Sequence, residues 1–111
     1  MECLNAMLLL MACHGSSELV EALIAEGAQV NAQNKDGETP LILAVLRAAT
    51  FTGRLRRRFL GIIRALLQKG ADLNLKDATG RSALDWALVL GQEDIAALLF
   101  ESGAAFSSSI N

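Results

Sequence analysis

Residues 37–41, Gly37-Glu38-Thr39-Pro40-Leu41, and residues 70–74, Gly70-Ala71-Asp72-Leu73-Asn74, decide how the rest of the chain reads. The first is a helix start. Thr39 offers a side-chain oxygen to unpaired amides, and Pro40 suits the first helical turn, where its missing N–H costs nothing. Asp36-Gly37 ahead of it is a tight-turn dipeptide. The second stretch is a helix stop, because Gly70 tolerates the left-handed backbone that ends a helix. A turn, two helices and a glycine stop make one supersecondary unit.

The unit recurs. Gly27-Ala28, Gly70-Ala71 and Gly103-Ala104 are spaced 43 and then 33 residues apart. Val30-Asn31 and Leu73-Asn74 follow the first two at the same offset, and Leu23, Leu66 and Leu99 hold equivalent places, each four residues before its glycine. A 33-residue period of this kind resembles the ankyrin repeat, whose Thr-Pro-Leu-His-x-Ala pattern is met in part by Thr39-Pro40-Leu41-Ile42-Leu43-Ala44. The resemblance implies an all-α solenoid of three stacked helix-turn-helix units with short extended fingers between them. The units run over residues 1–33, 34–76 and 77–106, with a tail at 107–111; the second carries a ten-residue insertion near 48–57. Units one and three depart from the pattern as capping repeats do, with Ala6-Met7 and Ser82-Ala83 in place of Thr-Pro, and Asp85 in place of His.

A chain of 111 residues makes one small domain. Its 52% hydrophobic content includes only one Trp and four Phe, so the core is aliphatic. The net charge of −2 hides an asymmetry. Between Glu38 and Asp72 lie seven bases and no acid, whereas the rest of the chain holds three bases and twelve acids. Cys3 and Cys13 share one short helix and cannot cross-link across it, which fits reduced thiols and a cytoplasmic or nuclear protein. Residues 7–12 are apolar, but Glu2 stands where a signal peptide wants a base. No apolar run approaches the ~18 residues of a membrane span.

The first helix is apolar on nearly every side, so an upstream repeat, self-association or ordinary apolar surface could account for it. Beyond residue 53 a longer helix carries Leu55, Phe59, Ile62, Ile63, Leu66 and Leu67 at three- and four-residue steps. Arg54, Arg57, Arg58 and Arg64 share its other side, with Gly61 between them. Together with Arg56 they form either a solvated face or a docking surface for an acidic protein, an anionic lipid or another polyanion. Nucleic acid is disfavoured by the overall acidity and the scarcity of aromatics to stack bases.

No catalytic, cofactor or metal constellation stands out. His14 is the only histidine, and adjacent helical residues such as Cys13 and His14 point about 100° apart, which disfavours a nucleophile–base pair. Trp86, among Leu84, Ala87 and Leu88, reads as core packing or as a contact anchor. The family resemblance implies binding of another protein through finger tips and the concave inner-helix face. By register those positions are Lys35, Asp36 and Glu38 on one finger, and Lys76, Ala78, Thr79 and Arg81 on the next. On the inner helices they are Cys13 and His14, then Leu46 and Arg47, then Val89 and Leu90. An apolar centre of Leu46, Val89 and Leu90 ringed by charge has hot-spot composition, although Leu46 and Val89 could equally pack against neighbouring repeats. The resemblance also marks Asn74 as a hydroxylation candidate, the alternative being that Asn31 and Asn74 hold the finger turns by side-chain hydrogen bonds.

Overall fold

Hydrogen bonds within a few residues of one another set the helix ends. The computed structural model describes residues 2–102; Gly103, Ala104, the 107–111 tail and the Cys3 side chain lie outside the described part. Six helices follow one another: α1 (Glu2–His14), α2 (Ser17–Ala25), α3 (Pro40–Thr50), α4 (Gly53–Gln68), α5 (Ala83–Val89) and α6 (Glu93–Glu101). No strand occurs among the described residues.

The starts of α2, α3 and α5 are side-chain caps. Ser16 Oγ accepts from the Leu19 amide at 3.3 Å, and Thr39 Oγ1 accepts from Ile42 at 3.1 Å. Ser82 and Asp85 exchange bonds reciprocally, so the aspartate in the histidine position of the third repeat completes a capping box. The stops of α2 and α4 are glycines. Gly27 N–H donates to Ile24 O and Ala28 N–H to Leu23 O, the two bonds of a Schellman motif. Gly70 and Ala71 repeat the pattern on Leu67 and Leu66. Each of these glycines has a positive φ, 110° and 86°.

Helices pair as α1–α2, α3–α4 and α5–α6, and the pairs stack so that α1, α3 and α5 form an inner layer, with α2 packed on α4 outside. Leu8, Val20, Leu41, Ile42, Val45, Ile62, Ile63, Leu66, Leu84, Ile95 and Leu99 are buried in one continuous aliphatic core. Each such side chain contributes about 1.5–3 kcal/mol by leaving water. Since the core spans all three pairs, no single pair buries its own apolar flank.

The second pair is the longest mainly through α4, which has 16 residues against nine in each of α2 and α6. At ~1.5 Å per residue it outreaches them by about 10 Å. Leu55, read from sequence as part of the apolar stripe, is therefore 42% exposed: it lies on the projecting turns. Phe51 and Phe59 stack there at 5.8 Å, and Phe59 lies against Gly15, where an added Cβ would come to 3.3 Å.

Candidate protein-binding groove

Two fingers hang from the helix layers. In the first, Asn34 Oδ1 accepts from the Asp36 and Glu38 amides, both at 2.9 Å, and Asn34 Nδ2 donates to Glu38 Oε1. The second has Asp77 at the same register, accepting from the amides of Thr79 (2.9 Å) and Arg81 (3.1 Å). The Ala78 amide donates to Asp36 O at 2.8 Å, and Gln33 Nε2 reaches both Gly37 O and Lys76 O, so the fingers are locked side by side. Asn31 Oδ1 accepts from the Asp72 amide at 2.7 Å, joining the first repeat to the second. Asn74 differs from Asn31: its own amide donates to Asp72 Oδ1, and its side chain bonds no described residue. The turn there is held by Asp72.

Between α1, α3 and the first finger lies a groove of about 600 Å³, lined by Leu9, Leu10, Leu43 and Leu46 with Ala6, Cys13, Asn34 and Thr50, and by the charged Glu38 and Arg47. A hollow of about 470 Å³ beside the finger adds Lys35. Another of about 260 Å³ shares Cys13 and Arg47 with the groove and is completed by His14, Phe51, Leu55 and Phe59, so residues of α4 and its approach continue the groove. His14 Nδ1 donates to the Leu10 carbonyl at 2.9 Å, which occupies that nitrogen with backbone.

The geometry therefore brings Glu38, Leu46 and Arg47 together, with Lys35 adjoining. Val89 and Leu90 are 58% and 39% exposed at the end of α5 and do not line this groove. Asp36, Ala78 and Thr79 are exposed near the finger tips. Arg81 is exposed but sits over Trp86, 4.8 Å from the ring centroid. Trp86 is half-buried, and its Nε1–H donates to Asp77 Oδ2 at 2.7 Å. Burial pushes the Asp77 carboxyl up, but hydrogen bonds from Thr79, Trp86 and the Arg81 amide outweigh it and hold the group below its usual range.

The repeat register does not single out Ala6, Leu9, Leu10, Leu43 and Thr50 as binding positions, although the apolar first helix marks Leu9 and its neighbours as a face to be covered. Their signal is the i, i+3/i+4, i+7 series 6, 9/10, 13 on α1 and 43, 46/47, 50 on α3. Among the basic residues, Arg54, Arg57, Arg58 and Arg64 are exposed, whereas Arg56 forks onto both Asp94 oxygens at 2.9 Å and donates to Gln92 at 2.7 Å. The Arg56 hydrogen bond lowers the Asp94 pKa and raises that of Arg56. Arg56 thus links α4 to α6 and stands apart from the free cations. No three His, Cys, Asp or Glu residues cluster as metal ligands among the described residues. None of the described helices is long and apolar enough to cross a membrane.

Paired helices, side-by-side fingers and one shared core define a helical repeat solenoid. The family model for ankyrin repeats (3 copies) matches residues 8–109, and the chain belongs to the ankyrin-repeat family. The chain is 37% identical over 86 residues to the inactive serine/threonine-protein kinase TEX14 of Bos taurus, 78% of this chain and 5% of that protein. It is 37% identical over 75 residues to neurogenic locus notch homolog protein 1 of Xenopus tropicalis, 68% of this chain and 3% of that protein. Over 74 residues it is 34% identical to transient receptor potential cation channel subfamily A member 1 of Drosophila melanogaster, 67% of this chain and 5% of that protein. The match is to a small part of each. Ankyrin repeats generally mediate protein–protein interaction.

Proposed function

We propose that this chain is a non-catalytic protein-recognition module, acting in the cytoplasm as an adaptor, scaffold or inhibitor. Its α1–α3 groove seats an apolar segment of another protein. The observation that carries this reading is the groove itself: four leucines line it, with Arg47 and Glu38 available to orient a polar flank. Leu10 is 52% exposed there, so apolar surface remains to be covered by a partner. The helices that present these side chains are pre-stacked, and rigid elements lose little entropy on association. Lys35 and Asp36 extend the contact along the first finger, and Val89 and Leu90 offer a secondary apolar contact further along the stack.

A quantitative pull-down comparing wild type, Leu10→Glu/Leu46→Glu and Val89→Glu tests this. The groove variant is expected to lose the main partner by about tenfold or more, while Val89→Glu retains most of it. Retention of that partner by a groove variant whose circular dichroism is unchanged would refute the reading.

A further inference from the structure

The solvent face of α4 carries a pattern that internal packing does not account for. Arg54, Arg57, Gly61 and Arg64 follow one another at steps of three, four and three residues, which places them in a single stripe along the helix, with Arg58 beside it. All four arginines are exposed, and none forms an ion pair with a described residue; the ion pair of this helix belongs to Arg56. No acid lies between Glu38 and Asp72 to offset them. At the centre of the stripe stands Gly61. A glycine inside a helix is less favourable than alanine. Nothing in this fold requires it, because its φ is not positive and a Cβ added there would meet no atom within 4 Å.

A glycine that the molecule does not need for itself suits close approach from outside. Helices pack 8–10 Å apart depending on the side chains at the crossing, and glycine permits the short end of that range. We propose that the outer face of α4 is a second docking surface, for an acidic helical segment of another protein. That segment crosses α4 at Gly61 while its carboxylates engage Arg54, Arg57, Arg58 and Arg64. Guanidinium forks bind carboxylates with two parallel hydrogen bonds, which adds orientation to attraction. A membrane surface suits the site less well. Lipid headgroups gain nothing from a notch at Gly61, and Leu55, the exposed leucine of this helix, lines the hollow beside the groove and not this face. None of these residues lines the α1–α3 groove, so the two surfaces are separable.

The test uses the full chain and a fluorescein-labelled, alanine-based helical peptide with glutamates at three-, four- and three-residue steps. Anisotropy should show binding that weakens as salt rises from about 50 to about 200 mM. Arg57→Glu/Arg58→Glu should weaken it by about tenfold or more through like-charge repulsion. Gly61→Ala, which leaves every charge in place, should also weaken it several-fold while raising the melting temperature by about 2–6 °C. Leu46→Glu should leave peptide binding unchanged, which separates this surface from the groove. Absence of peptide binding overturns the proposal. So does a Gly61→Ala protein that binds as tightly as wild type, since attraction would then be charge alone. Binding to phosphatidylserine vesicles without binding to the peptide overturns it in favour of a lipid surface.

Discussion

In the first finger Asn34 accepts from the amides two and four residues ahead; in the second, Asp77 does the same from the same register. The backbones agree and the chemistry does not. Asn34 is neutral and spends its remaining amide on Glu38, within the finger. Asp77 is buried and charged, so its other oxygen needs a strong donor, and Trp86 Nε1 on α5 supplies it. The same bond removes what would otherwise be an unpaired indole N–H. Arg81 then covers the ring. The second finger is consequently tied to an inner helix through a buried charge, while the first is tied to its neighbour finger through Gln33 and the Asp36 carbonyl. One register position serves as a local turn in one repeat and as a tertiary anchor in the next.

The largest expected effect separates the two turn glycines. Gly37 and Gly80 have φ of 76° and 83°, so alanine strains both. Only at Gly37 would a Cβ also meet backbone, 2.9 Å from the Ala78 amide nitrogen. Gly37→Ala should cost about 3–4 kcal/mol in urea unfolding, and Gly80→Ala about 1–2 kcal/mol. Equal costs would mean that the contact between fingers contributes little.

Next come the two anchors. Asp77→Ala leaves the Trp86 N–H and two amides without an acceptor and should cost about 3 kcal/mol, against about 1 kcal/mol for Asn34→Ala. Tryptophan fluorescence should shift in the first variant only. If both substitutions cost the same, the bond to Trp86 adds nothing beyond the turn.

The smallest effect is on pH dependence. The Asp77 carboxyl is held below its ordinary 3.8 in the folded protein, so the unfolded chain binds its proton first as pH falls. Its contribution is whole above that ordinary value and is lost as pH drops through the lower folded value. Asp77→Asn should therefore flatten the acid limb of the stability–pH curve. Asp94 shifts in the same direction through Arg56 but is largely exposed, so Asp94→Asn should flatten it less. A larger effect from Asp94 would reverse the ranking of buried and surface carboxylates.

The architecture was legible because its signals are local. Thr39-Pro40 and the Gly27-Ala28 and Gly70-Ala71 stops announce helix ends through bonds that close within five residues, and the repeat spacing sets how the pairs stack. Part of the groove was legible too, since register placed Glu38, Leu46 and Arg47 on the concave side. Leu9, Leu10 and Leu43 were harder to see. A leucine facing a groove and one facing the core look alike in sequence, and α1 is apolar on nearly every side.

The capped starts of α2, α3 and α5 and the Gly27 and Gly70 stops were thus determined by the sequence alone, through interactions spanning about a single turn. The stacked structure alone decided that Arg56, and not its neighbours Arg57 or Arg58, meets Gln92 and Asp94, since those partners arrive from 36 and 38 residues away. It also decided that Asp77 is buried against Trp86, and which leucines stay open to a partner. Those outcomes depend on the phase of one helix against another, and that phase is set only when the core closes around both.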